Sequence, residues 1–553
     1  MSWTHRVALL VLSTFLVTVR SISWQRAADD EFRIGIGIAD VTGPPAGVGM
    51  MGYAKAEQVN HGIHTRLFSR AFIICDEVNC IVFVTADIGM LDTAVKIKVI
   101  ERLEAEFGGI YHDKNVILSG THTHSGPAGY LQYVLFQFTN LGFIEITFNA
   151  IVDGIVQSIK EAHDNIVPGR MFYTEGTVMN ANINRSPLSY LANPRWEREM
   201  YEYDVDKTMQ LIRFEDLAGS PIGMLNWFAV HPTSMNNTNK LTSGDNKGVA
   251  SMIFERRMNP GALMGKGKFV AGFASSNLGD VSPNILGARC QDTGEVCDSL
   301  TSTCNGNSKL CIASGPGRDM FESTWIIGER QSNAAWNLFN DVASQKPIRG
   351  SVRFAHQYVN MSNYELEIMA PNGSQILVHT CPPAMGYSFA AGTTDGPGEF
   401  DFTQINWPYD WQPHVVDTQL AVIGDIAIAA VPGEMTTMSG RRLRRVLLDV
   451  MMQYGIQDPV AVTAGLCNTY SDYIATFEEY QIQRYEAAST IYGPHTLAAY
   501  EDQYRNLAMQ LMEIGAHPQN NFRTESSYMY VERLDEETGT WTVVANDADW
   551  ETK

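Results

Sequence analysis

Short apolar runs that read as strands alternate with amphipathic helical stretches along most of this chain. That alternation restricts it to a mixed α/β fold with a large central sheet. "FRIGIGIADVTGP" (residues 32–44) reads as a strand ending in a turn, and "RAFIICDEVNCIVFVTADIG" as a hairpin. "AVKIKVIERLEAEFG" (residues 94–108) is an amphipathic helix with Gly108 as its stop signal. "KNVILSGTHTH" is a strand running into a turn, and "FIEITFNAIVDGIVQSIKEAHDN" is a long helix. The pattern continues through "GMLNWFAVHPTSM", "KFVAGFASSNLGDVSPN" and "AVIGDIAIAAVPGE", and a helical stretch is predicted over residues 477–515. From Phe522 onward the character changes to two alternating strands about an acidic turn. No internal repeat or low-complexity tract interrupts the series.

Composition narrows the function classes. A net charge of −21 on 553 residues, with no basic run longer than "GRRLRR" (residues 440–445), leaves no surface to displace counterions from phosphates. Nucleic acid is therefore not an expected partner. At the N-terminus His5 and Arg6 precede "VALLVLSTFLVTV" and the small residues of "SIS". That run is short for a membrane span and suits a signal peptide over residues 1–23, so the protein is expected to be secreted. Cysteine usage agrees with an oxidising compartment. Cys290, Cys297, Cys304 and Cys311 lie in a Gly/Asn/Ser-rich segment without a close Cys-x-x-Cys pair, which favours two disulfides over a zinc knuckle. Cys75 and Cys80 sit across the predicted hairpin and suit a further bridge. Asn360 and Asn372 head glycosylation sequons in polar segments.

Several apolar strands end in turns that carry residues capable of catalysis. "SGTHTHSGPAGY" (residues 119–130) places His122 and His124 two apart, on one face if the backbone is extended. Two imidazoles there suit a metal ligand beside an acid/base partner; one core and one surface histidine is the simpler alternative. His231 follows the next such strand, Asp280, Ser282 and Asn284 a third, and Glu434 a fourth. Each alone is explained by ordinary turn chemistry, whereas together they read as one converging site. A metal held by two imidazoles and a carboxylate, with room for water, would be zinc. The helix-borne His-Glu-x-x-His motif is absent.

The segments "GIGIADVTGP", "SGTHTHSGPAGY", "NINRSP", "HPTSMNN", "FASSNLGDVSPN", "GYSFAAGTTDGPG", "PGEMTTMSGRR" and "QRYEAASTIYGPHTL" resemble those of the neutral ceramidase family, and they occur in the family's order. The resemblance implies a zinc-dependent amidase that hydrolyses ceramide, at or from a membrane surface, to sphingosine and a fatty acid. The implied fold is α/β, with two mixed sheets flanked by helices in a catalytic domain over residues 32–516. A truncated immunoglobulin-like β domain over residues 517–553 is implied to follow. The short tail makes a catalytically weak, lipid-binding variant one alternative, and a zinc hydrolase of another N-acyl amide is a second. Carried over by motif, one zinc falls to His122, His231, Glu434 and Tyr473. His124 corresponds to a residue stabilising the tetrahedral oxyanion, and Arg185 and Tyr485 to pocket residues contacting that oxygen or the substrate head. Ser282 matches the family's active-site serine. It attacks the amide itself, or it binds substrate hydroxyls while zinc-activated water attacks; the second is favoured because no base dedicated to Ser282 is visible. The resemblance and the regular spacing together favour Cys290–Cys304 and Cys297–Cys311, leaving the partners of Cys381 and Cys467 open. Asn184 and Asn236 match sequons but lie within pocket motifs, where a glycan would obstruct the site.

Overall fold

In strand β1 (Phe32–Asp40) isoleucines alternate with glycines, and the two sets serve opposite faces of one sheet. Ile34, Ile36 and Ile38 are buried against a second sheet. Gly35 and Gly37 face helix α2 (Glu145–Asp164); a Cβ at either would stand 2.2 Å from a helix carbonyl, of Ala162 and Ser158 respectively. The glycines thus set how closely the helix lies on the sheet. This is a computed structural model, and it describes residues 30–298, 301–369, 373–398 and 410–513, with strands Tyr530–Leu534 and Trp541–Ala545.

The large sheet contains β1 with β2 (Phe68–Cys75), β3 (Cys80–Ala86), β4 (Val116–Gly120), β5 (Val167–Thr177), β6 (Thr208–Asp216), β7 (Pro221–Phe228) and β8 (Val270–Ser275). Their order is β8-β7-β6-β5-β1-β2-β3-β4, and Lys346–Pro347 adds to β5. The second sheet has the order β9 (Val352–Asn360), β10 (Val415–Ile423), β11 (Ile426–Ala430), β12 (Val460–Ala464). Phe72, Phe83, Phe214 and Trp227 of the first sheet pack with Ile423, Ile428 and Val462 of the second. Helices α1 (Thr93–Phe107) and α2 cover one half of the large sheet's outer face. Helices α3 (Asp245–Met258) and α4 (Met320–Asn340) cover the other half. Helices α5 (Thr437–Gln453) and α6 (Thr496–Glu513) cover the outer face of the small sheet. The layers therefore run helix, sheet, sheet, helix, as expected.

Within these two sheets three strand pairs are parallel: β3 with β4, β7 with β8, and β11 with β12. In mixed sheets, ligands gather at the carboxyl ends of parallel strands. Those ends are Ala86 and Gly120, Phe228 and Ser275, and Ala430 and Ala464, and all but Ala86 lead into a segment that carries a candidate residue.

The predicted hairpin forms, with Cys75 opposite Cys80 and bonded to it. Cys290–Cys304 and Cys297–Cys311 are also bonded, while Cys381 and Cys467 are free. The continuous helix predicted over residues 477–515 does not form. Two short turns, Phe477–Tyr480 and Tyr485–Ala488, precede α6. Gln483 (φ 52°) and Gly493 (φ 86°) take left-handed backbone, and Pro494 cannot continue a helical ladder. In the tail, Tyr530–Leu534 and Trp541–Ala545 pair antiparallel, as read from the sequence. The signal segment, Asn372 and the rest of the tail lie outside the described residues.

Candidate active site

The convergence of His122 and His124 has a different cause from the one expected. Strand β4 ends at Gly120, and His122 sits at φ 75°, a left-handed value that is costly for a residue with a Cβ. The turn swings the two rings together, with their Nε2 atoms 3.1 Å apart. Strand alternation plays no part. His122 Nδ1 lies 2.7 Å from the Gly89 carbonyl, and His231 Nδ1 lies 3.0 Å from the Val281 carbonyl. These carbonyls fix each ring with Nδ1–H as donor, so each Nε2 presents a lone pair inward.

Both lone pairs meet Glu434. Its Oε1 is 3.1 Å from His122 Nε2, and its Oε2 is 3.0 Å from His231 Nε2. The second contact has the distance of a hydrogen bond but not its alignment, so His231 Nε2 and Glu434 Oε2 both remain unpartnered and buried. Glu434 and Tyr473 sit opposite one another in a two-residue parallel bridge, which brings the phenol beside the carboxylate. The Tyr470 hydroxyl donates to Glu434 Oε1 at 2.5 Å. Burial pushes the Glu434 carboxyl up, and positive charge on His122 and His231, when those rings are protonated, outweighs it and holds the carboxyl well below its ordinary value. Burial, reinforced by His122 and His231, lowers His124 well below the usual histidine range. Burial and the Glu434 charge raise the Tyr473 phenol, and Arg185 opposes them.

His122, His124 and His231 have ring nitrogens close enough to hold one cation. Two of them suit that role best. His124 Nδ1 has no hydrogen-bond partner, so nothing orients its ring as Gly89 and Val281 orient the others. His124 instead packs edge-on against Tyr53, with centroids 4.5 Å apart. Two anchored imidazoles, a carboxylate and a phenol, with two buried atoms left unpartnered at 3.0 Å, form a donor set that fits zinc.

The remaining candidates form a second layer. Ser282 is fully buried, in a short bridge with Ile183–Asn184, and its hydroxyl donates to Asp395 Oδ1 at 2.6 Å. Arg185 is buried as well: Nε donates to Glu486, Nη1 to Asp395, and Nη2 to both Gly279 O and Tyr473 Oη. Its guanidinium lies 5.5 Å from the Tyr485 ring centroid, and Tyr485 packs edge-on to Tyr473. Asp280 is a brace, accepting from Thr437 and Asn184. Asn284 joins Ser282 on Asp395. Asn184 is buried with its amide donating to Asp204 O and Asp280, which leaves no room for a glycan; Asn236 is half-buried, and Asn360 is exposed. Sequence reasoning missed Tyr470, Asp395 and Glu486. Asp395 carried a faint signal, an acid in the Gly-flanked turn "GTTDGPG"; Tyr470 looked like any core aromatic of "NTYSDY". A surface cavity of about 940 Å³ beside Arg102, Asp153 and Lys160 is lined by none of these residues.

Imidazoles, a carboxylate and a phenol gathered at the ends of parallel strands define an α/β protein with a histidine-rich, metal-type site. The chain matches the family model "Neutral/alkaline non-lysosomal ceramidase, N-terminal" over residues 32–406 and 403–502, and its C-terminal counterpart over residues 498–553. It is 43% identical to the neutral ceramidase of Drosophila pseudoobscura pseudoobscura, across 95% of this chain and 89% of that one. It is 42% identical to neutral ceramidase A of Dictyostelium discoideum, across 99% and 91%. Its fold is similar to that of a ceramidase complexed with C2, at a TM-score of 0.77 and 36% identity, covering 88% of this chain and 76% of that one. The chain belongs to the neutral/alkaline non-lysosomal ceramidase family and is a ceramide-hydrolysing enzyme.

Proposed function

We propose that this site cleaves the N-acyl bond of ceramide to sphingosine and a free fatty acid, with one zinc held by His122, His231, Glu434 and Tyr473. The observation that carries this reading is the pair of buried, unpartnered atoms, His231 Nε2 and Glu434 Oε2, facing each other beside rings anchored through Nδ1. When bound in such a set, zinc polarises a carbonyl and brings the pKa of water to about 7. The chain's own residues supply the rest. His124, held neutral by burial and its two histidine neighbours, offers one N–H toward negative charge developing on the amide oxygen. Arg185 keeps positive charge against Tyr473 and, with most of its donors engaged, has one N–H of Nη1 left for that oxygen or the substrate head. Ser282 is tied to Asp395 and serves in binding substrate.

The test is metal analysis combined with ceramide turnover. Chelation abolishes hydrolysis and zinc restores it, and His122→Ala and His231→Ala lose metal and activity together. Full turnover by a metal-free preparation sinks the assignment. Parallel assays on a simple N-acyl amino acid separate ceramide hydrolysis from a broader amidase activity.

Three disulfides among the described residues support the reading of residues 1–23 as a signal peptide and of the protein as secreted, meeting ceramide at a membrane surface. Recovering the protein from culture medium with the leader removed checks it. The C-terminal family match and the tail hairpin support part of an immunoglobulin-like β domain.

A further inference from the structure

Ser282 has a hydroxyl whose proton is already committed. It donates to Asp395 Oδ1 at 2.6 Å, and its oxygen accepts the Asn284 backbone N–H at 3.0 Å. A hydroxyl carries one proton and two lone pairs, so a single acceptor position remains. Asp395 is 3% exposed and receives two further side-chain donors, Asn284 Nδ2 at 2.8 Å and Arg185 Nη1 at 3.3 Å. The Asp395 carboxylate, itself held by a guanidinium and an amide, is thereby fixed as the acceptor of the Ser282 O–H. The arrangement is built by the fold. Gly392–Thr393 and Gly396–Pro397 pair as a small hairpin with Asp395 in its turn, and the Ala313 N–H donates to Thr394 O. Ala313 ends the strand Cys311–Ala313, which pairs with Ala288–Cys290 inside the disulfide-stapled loop.

We propose that Asp395 is a specificity-determining positioning residue: by accepting the Ser282 O–H hydrogen bond it leaves Ser282 able only to accept from substrate, and so selects substrates that present one hydroxyl donor beside the amide. This rests on the ceramidase reading of the site. Ceramide carries two such hydroxyls, on C1 and C3, flanking the carbon that bears the amide nitrogen. The single remaining lone pair serves one of them. An N-acyl base without that hydroxyl leaves the Ser282 oxygen desolvated and unpaired, which is where the discrimination arises.

The experiment measures kcat/KM on ceramide and on two analogues, one lacking the C1 hydroxyl and one lacking the C3 hydroxyl. Zinc content and melting temperature are recorded for each protein. The wild-type enzyme is expected to lose roughly 10- to 100-fold on one analogue and far less on the other. Asp395→Ala loses a similar factor on ceramide with little further loss on the sensitive analogue, so the discrimination collapses while zinc content stays at one per chain. Asp395→Asn retains an oxygen able to accept from Ser282 and recovers part of the discrimination, which guards against a folding failure of the alanine variant. Equal losses on all three substrates overturn the proposal and leave Asp395 as a structural member of its turn. A wild-type enzyme indifferent to both hydroxyls overturns it too, as does a fatty-acyl adduct trapped on Ser282. A wild-type protein that fails to hydrolyse ceramide at all overturns instead the functional reading beneath it.

Discussion

Tyr470 holds Glu434 from the side opposite His231. Its hydroxyl donates to Glu434 Oε1 at 2.5 Å, and its ring packs against Phe136. Groups that hydrogen-bond a metal-ligating carboxylate set its orientation, and their loss typically costs about 10- to 100-fold in metal affinity. Tyr470→Phe keeps the ring and removes the donor. On the zinc site proposed above, competition with a chelator should show zinc binding weakened by that order, with turnover near wild type once zinc is saturating. Unchanged zinc affinity would show that Glu434 is held by its backbone bridge to Tyr473 alone. The spacing of His122 and His124 is visible in the sequence, whereas the left-handed backbone that aims them together is not.

Between elements, two packing devices carry separate predictions. Gly37 is pressed beneath α2, where an added methyl group would meet Ser158 O at 2.2 Å and Ala162 N at 2.4 Å, both backbone atoms unable to move aside cheaply. Gly37→Ala should therefore destabilise by roughly 1–3 kcal/mol, read as a lowered melting temperature. A melt unchanged within error would mean that α2 can lift without cost. Elsewhere, buried Lys96 of α1 reaches Asp417 of β10 at 2.6 Å, and His356 of β9 stands 2.8 Å from the same carboxylate. Burial raises the Asp417 pKa, but His356 and Lys96 outweigh it and bring it from 3.8 to about 2. The folded value lies below the unfolded one, so this contribution is fully present above about pH 4 and is lost as pH falls toward 2. Asp417→Asn leaves Lys96 buried without its anion and should cost about 3 kcal/mol at pH 7. Urea unfolding at pH 7 and pH 3 should show the gap between variant and wild type narrowing in acid; a constant gap argues that packing alone is lost.

Across the whole molecule, the proposed ligands come from both sheets. His122 and His231 follow strands of the large sheet, and Glu434 and Tyr473 follow strands of the small one. A cation bound there ties the two layers at one edge of their shared core, and by linkage it stabilises the folded state by about 2.7 kcal/mol at a free concentration one hundred times Kd. Zinc should raise the melting temperature of the intact chain, chelator should lower it, and His231→Ala should respond to neither. A wild-type melt indifferent to zinc would mean that the layers do not close on the metal.

The local code of this chain determined its layers. Alternating apolar strands, amphipathic helices, the "GIGI" pattern, the Cys75–Cys80 hairpin and the polar turns after buried strands are all short-range signals, written within one element each. The breaks at Gln483 and Gly493 belong to the same range but were outvoted by apolar periodicity over residues 477–515. Motif resemblance placed Tyr473, Arg185 and Tyr485, which no local pattern distinguishes from core aromatics and surface cations. Only the tertiary structure decided how these residues work together. Glu434 meets His231, Ser282 meets Asp395, and Arg185 meets Glu486 across separations of 113 to 301 residues for the last two. Three parallel strand pairs in two sheets bring those turns to one place. Hydrogen-bond partners at that range are chosen by the packing of the layers, which no stretch of sequence shorter than the fold contains.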